Sequence, residues 1–242
     1  MVPRIPLLLA FSAATVFAAT EAAKISYLVG NAQVKRAGKS IPARVSMACQ
    51  VGDTLVLSKA SRAELRYPDN TLLRLEENSK AVLTALAKGT PQPTLLGGKA
   101  WANVKKIGQG GTGFGVRTPT AVAAVRGTVF RVADGDSASN VRLYEGKVDV
   151  GSARQDSAMR ARGEVSGPQE VSLENWVRLL RGEEVTFRRD GTWSRAKFDP
   201  KADLVDPWVR WNAQRDSAAG RPWATDSSAS AAPSGEPDPF KE

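Results

Sequence analysis

The sequence predicts an all-β fold: a compact sandwich or β-helix-like domain of many short strands, with a short C-terminal helix and a disordered tail. Three observations predict it. From Ile25 onward, apolar residues recur in short runs separated by turn signals, and almost no stretch before Gly151 keeps a helical period. Between Leu204 and Asp216 the pattern changes, with Leu204, Val205, Trp208, Val209 and Trp211 at near-helical spacing and Asp206-Pro207 as an N-cap followed by a first-turn proline. From Ala218 to Glu242 the chain is rich in Ser, Ala, Pro and Gly, with too little apolar surface to offset the entropy of ordering.

The strands follow in order. Ile25 to Val29 and Ala32 to Arg36 read as a hairpin over Gly30-Asn31. Thr54 to Leu57 follows Gly52-Asp53, and Ala63 to Tyr67 pairs with Thr71 to Leu75 across Pro68-Asp69-Asn70, where proline presets φ and the Asx side chains bond their own backbone. Further strands are expected at Lys80 to Leu86, Lys99 to Val104, Phe114 to Arg117, Thr128 to Val132, Asn140 to Tyr144 and Lys147 to Val150, with Asp134-Gly135 and Glu145-Gly146 as turns. Gly151 to Gly167 is polar and reads as an exposed excursion, after which Val171 to Leu173, Asn175 to Leu180 and Glu184 to Phe187 are the last strands before the Arg189–Thr192 turn. The helix is expected to dock its tryptophans on the β domain.

The first residues stand apart from this domain. Arg4, the apolar run Ile5 to Phe11 and the small residues through Ala19 have the layout of a secretory signal, with cleavage after Ala18 or near Ala22 or Ala23. The apolar run is far short of the roughly 20 residues that span a bilayer, so no stable membrane span is expected after cleavage. The expected product is periplasmic or secreted. The chain thus divides into a signal peptide (1–22), a β domain (25–193), a linker with a short helix (194–217) and the tail (218–242).

Composition narrows the chemistry. The 242 residues hold no histidine, which removes the usual general base, the histidine-dependent nucleophile arrangements and the commonest metal ligand. The adjacent acids Glu76-Glu77 and Glu183-Glu184 should point to opposite strand faces and so fail to converge on one substrate. Asp134 and Asp136 begin a calcium-loop series that Ala138 breaks. The glycine-rich Ile107 to Gly115 lacks the lysine-serine or lysine-threonine and the helix that a phosphate loop needs. No enzyme activity, cofactor or metal is therefore expected. Cys49, the only cysteine, has no disulfide partner in the chain and reads as a buried, inert thiol. The net charge of +9 draws an exported protein to anionic surfaces, and Lys35, Arg36, Lys105 and Lys106 are among the residues that would meet them. No nucleic-acid motif is present, so a nucleic-acid partner is not expected.

Two segments resemble the FecR domain family. The stronger runs from Arg117 to Val150 and contains Thr118-Pro119-Thr120, Val125-Arg126-Gly127-Thr128, the apolar strand Val129 to Val132, Val141 to Tyr144, and Glu145-Gly146 leading into Val148 and Val150. The weaker comprises Val51 to Leu55 with its glycine-aspartate step and Ala63 to Leu75, with Leu180 to Val185 similar to the closing strand. Thr118, Pro119, Thr120, Val125, Arg126, Gly127, Thr128 and Gly146 are the motif residues, expected to be structural. Arg126, among small and apolar neighbours, should be partly buried and need an acceptor such as Asp53, Glu145 or a backbone carbonyl; a ligand contact is the other reading. The resemblance implies a periplasmic binding or sensing module whose partner is an envelope protein or an anionic envelope polymer. The best-known members receive a signal from an outer-membrane receptor and control a sigma factor through a membrane helix and a cytoplasmic segment. That arrangement is not expected here, and a regulatory part in transmembrane signalling is the alternative.

Overall fold

Alternation of side chains along each strand decides how the layers form. The computed structural model describes residues 21–85, 90–106, 113–153 and 176–223. Their strands fall into two nine-stranded sheets. Sheet I holds β1 (Glu21–Val29), β4 (Ala48–Gln50), β6 (Arg62–Arg66), β7 (Leu72–Leu75), β10 (Gly98–Asn103), β13 (Val129–Asp134), β14 (Ala138–Glu145), β17 (Glu183–Arg188) and β18 (Trp193–Lys197). Sheet II holds β2 (Ala32–Arg36), β3 (Lys39–Pro42), β5 (Thr54–Leu57), β8 (Lys80–Val82), β9 (Thr94–Leu95), β11 (Phe114–Arg117), β12 (Ala121–Val125), β15 (Lys147–Ser152) and β16 (Trp176–Leu180). One helix, α1 (Pro207–Ala218), follows them.

The chain crosses between the sheets after every one or two strands, and both sheets advance in the same chain order, β4 and β3 apart. Successive pairs therefore stack like turns of a flattened coil, although the pairings are antiparallel except where β9 meets β11 at Thr94 and Arg117. One core fills the space between. Ile25, Leu65, Leu73, Phe130 and Leu143 enter it from sheet I, and Val34, Leu55, Phe114, Val150 and Leu179 from sheet II. Each large apolar side chain removed from water in this way contributes about 1.5–3 kcal/mol. Cys49 is part of the same core, fully buried and free.

The expected strands recur with shifted ends, and five short ones, β3, β4, β9, β12 and β18, are additional. Lys80 to Leu86 shortens to β8, ending at Val82, and Gly151 belongs to β15, where it is buried, instead of opening an excursion. The Gly30-Asn31 hairpin is a correction. β1 pairs with β4 and β6, while β2 pairs with β3 and β5, so Gly30-Asn31 is a corner between sheets. The reason is that β1 and β2 turn their apolar residues into one core from opposite sides. At the corner Gly30 takes φ +74°, and a Cβ there would lie 2.4 Å from Ser61 Oγ. The Pro68-Asp69-Asn70 turn does join a hairpin, β6 to β7, with Asp69 Oδ1 accepting from the Thr71 amide at 2.9 Å. The expected strand at Val171 to Leu173, the signal segment before residue 21, most of the glycine-rich loop and the tail after residue 223 lie outside the described residues.

Glu145-Gly146 is a second corner between sheets. Gly146 takes φ +87°, and a Cβ on it would lie 2.7 Å from the Gly127 carbonyl oxygen. Gly146→Ala should therefore cost about 2 kcal/mol or more, from the left-handed backbone penalty together with this clash. Gly38→Ala is the control, since Gly38 has φ +77° but nothing within 4 Å of the added Cβ. Urea unfolding should show a markedly larger loss for the first variant than for the second.

Candidate functional site

The five residues of β12 separate the two halves of the family motif by about 17 Å, given the rise of an extended strand. Thr118, Pro119 and Thr120 form the turn of the β11–β12 hairpin, with Thr118 and Thr120 buried and Pro119 exposed. Thr118 Oγ1 accepts from the Ala121 amide at 2.8 Å and the Thr120 amide at 3.3 Å. The Thr120 hydroxyl lies 2.5 Å from Ser139 Oγ and donates to the Phe187 carbonyl at 3.1 Å. Because Ser139 and Phe187 belong to sheet I, this turn of sheet II ties the two sheets together. Ser139 in turn donates to Asp134, whose carboxyl is raised by burial above the ordinary range.

Val125, Arg126, Gly127 and Thr128 lie at the other end of the sandwich, beside Gly146. Gly127 has φ +70°, and a Cβ on it would strike Lys106 Cγ at 2.5 Å. Thr128 donates to the Lys147 carbonyl at 3.0 Å and accepts at its own carbonyl from the Val104 amide at 2.9 Å. Three turns are thereby locked side by side: the segment after β10, the β12–β13 turn and the β14–β15 corner. Arg126 departs from expectation, because its side chain is exposed. The acids expected to hold it are used elsewhere: Asp53 pairs with Arg36 at 2.6 Å and Glu145 with Lys106 at 3.3 Å. Apolar neighbours did not bury Arg126 because it sits on the turn itself, where a side chain can leave the sheet.

The same end continues to the β16–β17 turn, since Lys147 pairs with Leu180 in register. There Gly182 donates to the Leu143 carbonyl at 3.0 Å, and the Phe198 amide donates to the Gly182 carbonyl at 2.8 Å. A cleft of about 550 Å³ opens between this turn and the segment after β18, lined among others by Leu180, Arg181, Lys197, Phe198, Pro200 and Lys201. The candidate site is this end as a whole. It gathers Lys105 and Lys106 with Arg126, Lys147 and Arg181, all exposed, on turns that the motif glycines bring into contact. Lys35 and Arg36 belong to β2, with Arg36 committed to Asp53. The two acid pairs are split among separate partners: Glu76 to Lys99, Glu77 to the Ala60 amide, Glu183 to Arg195 and Glu184 to Arg142.

What holds the segment after β18 in place lies on the outer face of sheet I, and sequence reading missed it. Register aligns Glu64, Arg74, Trp101, Arg131, Arg142 and Glu184 in one row across β6, β7, β10, β13, β14 and β17. α1 and the 3-10 turn Ala202–Val205 before it cover this row. Arg74, fully buried, donates to Glu64 Oε2 at 2.7 Å and to Asp216 Oδ1 of α1 at 2.6 Å. Trp101 Nε1 donates to the other Asp216 oxygen at 3.0 Å. The neighbouring cations Arg131 and Arg142 are bridged by acids of the segment: Arg131 meets Asp206 at 3.2 Å, Arg142 meets Asp203 at 2.8 Å, and the Tyr144 hydroxyl donates to Asp203. Trp208 and Trp223 pack into the same layer with Trp101 and Tyr144, and Asp206 Oδ1 caps α1 through the Trp208 amide at 2.8 Å. Burial pushes the Asp216 carboxyl up, outweighing Arg74 and Trp101. Burial also works to raise Glu64, but hydrogen bonds from Ser26 and Arg74 and the charges of Arg74 and Arg215 outweigh it, leaving Glu64 below the ordinary range.

Residues 53–149 match the family described as FecR protein. The chain carries a FecR domain. The matched stretch of the FecR domain runs from Asp53 to Asp149 and so takes in both motif halves and the turns of the basic end, while α1 lies beyond it. No curated protein matches the chain. Two crystal structures, at 1.65 and 2.50 Å resolution, of a candidate anti-sigma factor from Parabacteroides distasonis are similar at 22% identity and TM-score 0.49. Each alignment covers 65% of this chain and 64% of that protein, so the chain spans under two thirds of its length.

Removing one partner of the buried charge row should be expensive. Arg74→Met leaves Glu64 and Asp216 without their shared cation and should lower stability by about 3–5 kcal/mol in urea unfolding. It should also release α1, seen as a red shift of tryptophan emission. The pH dependence has a definite sign. Glu64 is depressed in the folded state, so its stabilisation is complete above the unfolded value near about 4.3 and is lost as pH falls through the folded value. Asp216, raised by burial, contributes in the opposite sense: its share is present below its unfolded value and fades as pH rises through the folded one. Urea midpoints should therefore fall between roughly pH 5 and pH 2, and Glu64→Gln should flatten that fall.

Proposed function

We propose that this protein is an exported, non-enzymatic module that regulates signalling through a protein partner in the bacterial envelope. The FecR domain over residues 53–149 is the observation that carries the reading. Three features support it. The N-terminal Arg4, the apolar run Ile5 to Phe11 and the small residues after it have the layout of an export signal. The chain lacks histidine, and the adjacent acids Glu76-Glu77 and Glu183-Glu184 are each engaged by a different partner, so neither pair converges on one point. Finally, the family turns converge on one exposed end and leave its surface free for contact.

Cell fractionation with N-terminal sequencing tests the first part. A product shortened near residues 18 to 23 and recovered from the periplasm is the expected result, and an unprocessed product in the cytosol overturns it. For the regulatory part, deletion of the gene should change a defined set of transcripts. A chromosomal variant lacking only the domain at residues 53–149 should reproduce that change. An unchanged transcript profile in both strains contradicts a signalling role.

A further inference from the structure

The two ends of the sandwich differ in how their charges are neutralised. At the end away from the motif turns, Lys99 pairs with Glu76 at 2.8 Å and Arg189 with Asp134 at 3.6 Å, while Lys59, Lys80 and Arg188 make no ion pair among the described residues. At the motif end, Lys105, Arg126, Lys147 and Arg181 make no ion pair among the described residues, and only Lys106 has one, to Glu145. Contacts make this end continuous. The Lys105 amide donates to Thr71 Oγ1 at 3.4 Å, Gly127 packs on Lys106, Gly146 packs on Gly127, and Lys147 pairs with Leu180 next to Arg181. Five exposed cations thus share one rim, with Glu145 the single acid paired to any of them among the described residues, and an external anion would relieve their mutual repulsion.

Which anion follows from the shape. The cations come from four separate turns at strand ends, so they cap the sandwich instead of lining a groove that a single extended chain would follow. A cap of this kind matches a broad layer of negative charge. Leu180 adds an apolar element: it is 48% exposed on the same rim, beside the cleft formed with Phe198 and Pro200 and flanked by Arg181 and Lys197. Cations around a protruding leucine suit phosphate headgroups above and acyl or glycerol carbon below. We infer that the motif end of the FecR domain docks on an anionic phospholipid surface, with Lys105, Lys106, Arg126, Lys147 and Arg181 against the headgroups and Leu180 at the interface. This deepens the reading of that end as the functional one by naming what it meets.

Cosedimentation of the purified mature chain with phosphatidylglycerol–phosphatidylcholine vesicles tests it, with pure phosphatidylcholine vesicles alongside. Binding to the anionic vesicles alone, lost at high salt, is expected. Each lysine or arginine near such a surface is worth about fivefold in affinity, so the triple change Lys105→Gln, Arg126→Gln and Lys147→Gln should weaken binding roughly 100-fold. All three side chains are exposed, which leaves the fold intact. The control triple Lys59→Gln, Lys80→Gln and Arg188→Gln removes the same charge from the opposite end and should leave binding within a few fold of the parent. Leu180→Ser should weaken binding to the anionic vesicles at low salt, where the headgroup contacts are intact.

Absence of anionic-vesicle binding, or equal losses from the two triples, overturns the inference. So does poly-glutamate binding tighter than the vesicles, which would assign the rim to an acidic protein. The assay uses purified protein and lipid, so its failure leaves the transcript experiment standing, and the reverse also holds.

Discussion

The described structure depends on one buried cation. Arg74 projects from the middle of sheet I away from the main core, and nothing on the sheet alone neutralises it beyond Glu64. Asp216 completes the arrangement from 142 residues further along the chain. A buried pair of this kind adds little net stability, because desolvation consumes most of the attraction, but each wrong alignment strands a charge in a dry layer. It therefore sets where α1 lies on the sheet. With α1 placed, Asp203 and Asp206 reach the adjacent cations Arg142 and Arg131, and the chain between β18 and α1 is pinned beside Gly182. The cleft at the basic end is a downstream product of that alignment.

Much of the fold was legible because it rests on local rules. Period-two patterning located most strands, Pro68-Asp69-Asn70 forms the hairpin its residues require, and Asp206-Pro207 starts α1 by capping the Trp208 amide. Sheet membership was not legible. A glycine with positive φ serves a tight hairpin and a crossing between layers equally well, and only the partners of β1 and β2 distinguish them. The second buried face of sheet I was hidden for a different reason. Arg62, Glu64, Arg74, Arg131 and Arg142 alternate with core residues, and such alternation reads as a wetted face unless a distant segment covers it.

The candidate site shows the same division. The motif residues were visible as a pattern, and the structure gives their glycines a shared purpose: Gly127 and Gly146 let neighbouring turns approach to distances no side chain would permit. The burial expected of Arg126 is absent because it was inferred from sequence neighbours, whereas a turn residue takes its environment from the strand ends around it. The same position makes Arg126 one of several cations on a shared rim, an association created by register across β10, β12, β15 and β16 and invisible along the chain.

The coiled path of the chain has a bearing on its synthesis. Most strands find partners close by in sequence, so successive windings can form as the polypeptide emerges. The charged outer row cannot close on that schedule, since its cover, α1, is among the last described segments to appear. Until then Trp101, Tyr144 and four arginines face outward from an otherwise completed sheet, an adhesive side that a chaperone would have to shield.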